Sequence, residues 1–362
     1  MLSFTKRFVS TLFVFAAFIL AAAEYQVMVL GDIHYDAREY HVTPDGKPHS
    51  PLNAVYINMW KAQSPAMLAA AAKLMTAETA FVVQVGDFVQ GDAISEALHE
   101  KMLADAFIKV KSFFPKHRLL PVKGNHDVRG YLPLTDKNGK VTYKRRNSGA
   151  PAAKAFLPLV AKELGRDKIS GNYAVVHNND LYIFYDGLTK VRTSLNFLRN
   201  TLKAHPKARN VFFISHLPVL TCSTGAPWWL VPRSQDIAKM LMERNAIILT
   251  AHTHQPSLIK VSDGKNSLTQ MVFSSVSYRW KSGKAPMLRC ADFAAYLKAV
   301  EPKMSRKQSA SAVKNMQARK IDMFELYSDA TGFTILKVNG NSVTAELYTD
   351  DSGKPTLIKK LR

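Results

Sequence analysis

Cysteine is close to absent from this chain of 362 residues, which holds only Cys222 and Cys290. Two thiols 68 positions apart exclude a disulfide-stapled scaffold and do not make a zinc knuckle. They leave either one bridge, in an oxidising compartment, or two unpaired buried thiols. Acidic residues are scarce: 28 Asp and Glu face 49 Lys and Arg, for a formal charge of +21. That balance draws a chain to anionic partners such as nucleic acid, phospholipid, wall polymers or phosphorylated solutes, although a basic surface also serves plain solubility. Apolar runs long enough to span a bilayer are missing beyond the N-terminus. Internal repeats and low-complexity tracts are missing as well. Hydrophobic residues are not scarce. At 47% they suffice for a sizeable core and exclude global disorder.

The longest apolar run lies at the start. Lys6 and Arg7 precede Phe8–Ala23, which ends in Ala21-Ala22-Ala23 before Glu24. The 16 residues of this run fall short of the roughly 20 that cross a membrane. A positive n-region, an apolar stretch and small residues at the exit predict a cleaved secretory signal over 1–23, hence a secreted or periplasmic location. No cysteine lies nearby, which excludes lipid attachment there. The remainder, 24–362, reads as a single domain.

Strand-like runs alternate with helical ones along it. "YQVMVLGDIH", "AFVVQVGDFV", "RLLPVKGNHDV", "NVFFISH" and "ILTAHTHQP" are apolar strands, and helical periodicity fills 65–79, 92–112, 151–165, 193–204 and 234–244. Residues 35–63 and 128–150 read as polar loops. "NYAVVHNNDLYIFYDG" reads as two strands joined at Asn178-Asn179. A basic, helical insertion is expected at about 285–320, and a hairpin across Asn339-Gly340 at about 332–350. The alternation predicts an α/β core.

Every apolar strand named above ends in polar residues of one chemical kind. Asp32 and His34, then Asp87, then Asn125, His126 and Asp127, then His216, then His252 and His254 all fall at carboxyl ends. In open α/β sheets those ends line the ligand crevice, so residues distant in sequence converge there. Carboxylate, imidazole and amide oxygen suit first-row metals. Two aspartates, one asparagine and four histidines exceed the four ligands of one zinc and match two ions sharing a carboxylate. Strand alternation points His252 and His254 the same way. Ala251, just before them, stands where a tight turn more usually carries glycine.

These motifs resemble those of the calcineurin-like metallophosphoesterases: Gly31-Asp32-Ile33-His34, Gly86-Asp87, Gly124-Asn125-His126-Asp127, His216 and Ala251-His252-Thr253-His254. The resemblance covers residues 25 to about 278 and implies a two-sheet sandwich of mixed strands flanked by helices. It implies two divalent or trivalent ions (Fe, Mn or Zn), one on Asp32, His34 and His254, the other on Asn125, His216 and His252, with Asp87 between them. A bridging hydroxide would attack phosphorus, and His126, as imidazolium, would protonate the leaving group, with Asp127 either supporting its orientation or capping the turn. Ala251 replaces the family glycine. Gln90 stands where some protein-phosphatase relatives carry an aspartate, which weakens a protein-phosphatase reading and leaves the ligands untouched.

Tyr35, Arg129, Trp228 and Trp229 are candidates for substrate contact. Arg145, Arg146 and the basic insertion are candidates for holding polyanions or a membrane surface. The expected activity is hydrolysis of an anionic phosphomonoester or phosphodiester after export. The rival is a non-catalytic binder of envelope polyanions on the same fold. No segment points to a protein partner.

Overall fold

A computed structural model describes residues 24–43, 45–47, 54–188, 190–224, 229–277, 284–303, 316 and 319–362. The expected signal peptide and Trp228 lie outside the described residues. Strands buried on both faces need apolar residues at successive positions rather than alternate ones, and the central strands have them. In Asp180–Phe184, Leu181 and Ile183 face an outer cluster with Leu195, Leu198 and Leu202 of the helix Val191–Ala204. Tyr182 and Phe184 face the opposite way, into the layer between two sheets. Val211–Ile214 divides likewise, Phe213 outward and Phe212 and Ile214 inward. Period-two alternation thus splits one apolar run between two cores, and each fully buried side chain contributes about 1.5–3 kcal/mol.

One sheet has six strands, in the order Leu357–Lys360, Ser342–Tyr348, Phe333–Asn339, Tyr25–Leu30, Thr79–Val85 and Leu119–Val122. Its last three run parallel, and Phe333–Asn339 pairs antiparallel with Tyr25–Leu30. The other has eight, in the order Leu288–Cys290, Lys320–Tyr327, Ser257–Ser262, Ser267–Val272, Ile247–Thr250, Val211–Ile214, Asp180–Phe184 and Tyr173–His177. The expected mixed α/β sandwich with flanking helices is the observed architecture. Parallel strands of both sheets bring their carboxyl ends to a common edge. Among the described residues no helix is long and apolar enough to cross a membrane.

Three segments depart from expectation. The loop before residue 63 contains a helix, Ala54–Ala62. The described part of 285–320 carries the short strand Leu288–Cys290 as well as the helix Phe293–Val300, and the strand pairs with Lys320–Tyr327. Residues 128–150, expected as a loop, form a two-stranded ribbon, Arg129–Thr135 against Val141–Asn147. Its mostly exposed faces carry no hydrophobic pattern to read, but Asn138-Gly139 at its tip is a hairpin signal. Both cysteines are free thiols, and Cys222 is buried with its Sγ 3.2 Å from Gln270 Nε2.

Candidate metal centre

The strands stop where the polar motifs begin. Tyr25–Leu30 ends two residues before Asp32, Thr79–Val85 two before Asp87, and Ile247–Thr250 two before His252. In each case the chain turns through left-handed backbone, with positive φ at His34 (49°), Asp87 (50°), His252 (70°) and His254 (58°). Side chains other than glycine adopt that region at a cost, and such strain gathers at functional sites. Period-two alternation therefore does not orient His252 and His254, which lie in the turn beyond the strand. Ala251 is absent from the positive-φ set and fully buried, so the left-handed demand falls on its neighbours. Ala251→Gly is accordingly expected to lower stability by at most about 1 kcal/mol and to leave activity intact, as a melting curve and a rate assay would show. Gly124 is different. A Cβ there would lie 2.0 Å from the backbone nitrogen of Asp87, so only glycine lets the two turns meet.

The turns bring six side chains into two groups, and Asp87 of the second also groups with His34 of the first and with His126. Asp32, His34 and His254 have ligand atoms within 4.8 Å of one another, as do Asp87, His216 and His252. His34 Nε2 lies 3.4 Å from His254 Nε2. In the second group His216 Nδ1 donates to the carbonyl of Val85 at 2.9 Å. Its other nitrogen, Nε2, is then the lone-pair atom, and it faces Asn125 Oδ1 at 2.9 Å, His252 Nδ1 at 3.0 Å and Asp87 Oδ2 at 3.2 Å. Three polar atoms converging on one imidazole nitrogen make a donor set that suits a cation. Asp32 Oδ1, buried on the other side, accepts no hydrogen bond. These residues fit a pair of metal ions on donor chemistry alone.

The charge states agree. Burial, reinforced by neighbouring imidazoles, lowers His34 and His252 well below the ordinary histidine value, and burial takes His254 to about 3. Burial opposes the charged form of His216 as well, but the Asp87 carboxylate and its hydrogen bond overcome this and raise it to about 9. Burial would raise Asp87 too. The positive charge of His216 and its hydrogen bond to Asp87 reverse that and hold it well below the carboxylate range. Without metal, a proton on His216 Nε2 therefore occupies that position.

Asp127 takes the turn-capping one of its two expected roles, and the surroundings of His126 differ from those expected. His126 Nδ1 donates to the carbonyl of Gln90 at 2.7 Å, and Arg129 Nη1 donates to His126 Nε2 at 3.1 Å. A ring that donates at one nitrogen and accepts at the other is neutral, and burial together with Arg129 lowers its pKa. Burial disfavours the expected imidazolium here, against the Asp87 carboxylate 3.9 Å from Nε2, which favours it. Asp127 accepts from the backbone of Val89 at 2.9 Å and of Gly124 at 2.7 Å. It braces the turn, and both oxygens are engaged there rather than with the His126 ring.

Of the candidate substrate residues, Arg129 and Trp229 line a cavity of about 520 Å³ that also touches Asn125 and His252. Tyr35 instead packs its ring 4.7 Å from that of Trp60, with its hydroxyl 3.4 Å from that of Tyr40. Asp92 was not foreseen. It holds Arg129 Nη2 at 2.7 Å and Arg145 at 3.5 Å, and its own nitrogen donates to Arg129 O at 2.7 Å, which anchors the ribbon. The signal for it was Gly91-Asp92, a turn dipeptide with positive φ at both residues.

Comparison with known proteins places this arrangement. Purple acid phosphatase PPD1 from yellow lupin (Lupinus luteus) superposes with a TM-score of 0.53 at 11% identity over 92% of this chain, which spans only 52% of that protein. PhoD superposes with a TM-score of 0.52 at 11% identity over 94% of this chain and 72% of that one. At such identity the likeness concerns the fold. No curated protein matches the sequence. The family profile for calcineurin-like phosphoesterases, however, matches residues 25–256, well over half of the chain. The chain therefore belongs to the calcineurin-like phosphoesterase family.

Proposed function

We propose that the chain is an exported phosphoesterase that hydrolyses a phosphate monoester or diester at two metal ions. Asp32, His34 and His254 hold one ion, Asn125, His216 and His252 hold the other, and Asp87 lies between them. The observation that carries this reading is the convergence of Asn125 Oδ1, His252 Nδ1 and Asp87 Oδ2 on the lone pair of His216 Nε2. Two ions at such a site supply a nucleophile at neutral pH and neutralise phosphoryl oxygens. Protein groups do the positioning. The carbonyl of Val85 fixes the His216 tautomer, and Asp87 Oδ1 accepts the His126 backbone N–H at 2.7 Å, tying the two turns together. Arg129, held by Asp92, points its guanidinium at the site, where it meets a phosphate oxygen. The charged N-terminus and apolar run of residues 4–23 support export.

The full chain loaded with Mn, Fe or Zn is expected to hydrolyse nitrophenyl phosphate or its bis-ester, and a chelator to remove the activity reversibly. Absence of turnover with every metal on both esters would refute the reading. A pH dependence accompanies it. His216, raised to about 9, keeps its proton at neutral pH, and a metal ion must displace it. Apparent metal affinity should therefore rise with pH, by about tenfold per unit for each proton displaced, and level off above about pH 9. Metal titrations in chelator buffers between pH 6 and 10 check the slope and its sign.

A further inference from the structure

The cavity beside the metal centre has two unlike walls. One comes from the base of the ribbon and presents Arg129, Arg145 and Arg146. These three cations meet two acidic partners: Asp92 serves both Arg129 and Arg145, and Glu96 pairs with Arg146 at 2.9 Å. One positive charge is left over on that wall. The facing wall is apolar, made of Leu217, Leu230 and Trp229. The Trp229 indole stacks on the His252 ring, with centroids 4.6 Å apart and planes inclined by 26°, yet 48% of the residue stays exposed. One face of the indole is thus fixed against a side chain of the metal centre while much of its surface remains available. The volume, about 520 Å³, is that of a pocket for a small organic molecule rather than for phosphate alone.

We infer that this cavity selects phosphoesters whose organic group is a flat unsaturated ring carrying a second negative charge, of which a nucleotide with more than one phosphate is the type. The inference rests on the phosphoesterase reading above and names its substrate class. The scissile phosphate sits where the cavity meets Asn125 and His252, the ring lies along Trp229, and the further charge meets Arg145 and Arg146. An acyl chain would match the Leu217 and Trp229 wall but waste the guanidiniums. A bare polyphosphate would match the guanidiniums but waste the indole.

The test uses the metal-loaded full chain and probes with no P–O–C or P–O–P link to cleave: an ADP analogue with methylene in place of both the 5′ ester oxygen and the α,β bridging oxygen, methylenediphosphonate, phenylphosphonate and octylphosphonate. Binding is read from tryptophan fluorescence and, separately, from inhibition of nitrophenyl phosphate hydrolysis. The ADP analogue is expected to bind at least about tenfold tighter than each of the other three. Trp229→Leu should erase its advantage over methylenediphosphonate, and Arg145→Gln with Arg146→Gln its advantage over phenylphosphonate. Four probes within about threefold of one another, or octylphosphonate binding tightest, would overturn the inference. The fluorescence titration needs no turnover. Discrimination without any ester hydrolysis would therefore sink the phosphoesterase reading and keep the cavity's selectivity, and hydrolysis without discrimination would do the reverse.

Discussion

Asp87→Ala is expected to lower kcat/KM for any phosphate ester by at least about 10³-fold, roughly 4 kcal/mol of barrier. Asp87 is the one residue whose carboxylate belongs to two of the ligand groups, with His34 and His126 on one side and His216 and His252 on the other. It is buried to 1% exposure, and its left-handed backbone directs the carboxylate into the site. Alanine would also free the His126 backbone N–H now bonded at 2.7 Å. Asp87→Asn separates the two effects, since it keeps the volume and an oxygen for that N–H while removing the charge. Bound metal counted by mass spectrometry should fall in both variants. Retention of more than about a tenth of wild-type activity by Asp87→Asn would show that the two ions do not share this carboxylate.

The second large effect is on stability. Lys123 Nζ lies 2.7 Å from Asp186 Oδ2, with the side chains only 6% and 3% exposed. Lys123 follows the strand Leu119–Val122 of one sheet and Asp186 follows Asp180–Phe184 of the other, so the ion pair crosses the sandwich near Asn125. Removing one member of a buried pair takes away the opposite charge that compensates the other, and the Leu188 N–H at 3.1 Å from Asp186 Oδ1 does not replace it. Lys123→Met is therefore expected to cost about 3–5 kcal/mol in denaturant unfolding, and Lys123→Met with Asp186→Leu together much less. A loss below about 1 kcal/mol for the single variant would mean that water reaches the pair.

The candidate ligand positions stand out in the sequence because each is a polar residue following an apolar strand. Asp32, Asp87, Asn125, His216 and His252 all sit just past the strand that the pattern predicts. What the pattern hid was direction and partnership. Tyr35 follows His34 in sequence but turns toward Trp60, because the chain reverses through left-handed backbone between strand and loop. Asp127 follows His126, yet its carboxylate bonds two backbone nitrogens. The tautomers of His126 and His216 are set by the carbonyls of Gln90 and Val85, atoms that every residue type carries and no sequence displays. The ribbon escaped for a different reason. It buries little, so its strands lack the alternation that marks a sheet packed on a core.

The centre draws on both sheets, with Asp32, Asp87 and Asn125 following strands of one and His216, His252 and His254 strands of the other. His34 and His254, whose rings face each other at 3.4 Å, are 220 positions apart. Ions held there act on the chain as a removable cross-link that closes a very long loop, and closing a long loop costs only slightly more entropy than closing a short one. Metal content is then a mechanical variable as well as a chemical one. Stripped of ions, the two sheets should part first at this edge, with amide exchange rising at the strand ends while the Phe212 and Tyr182 layer stays protected.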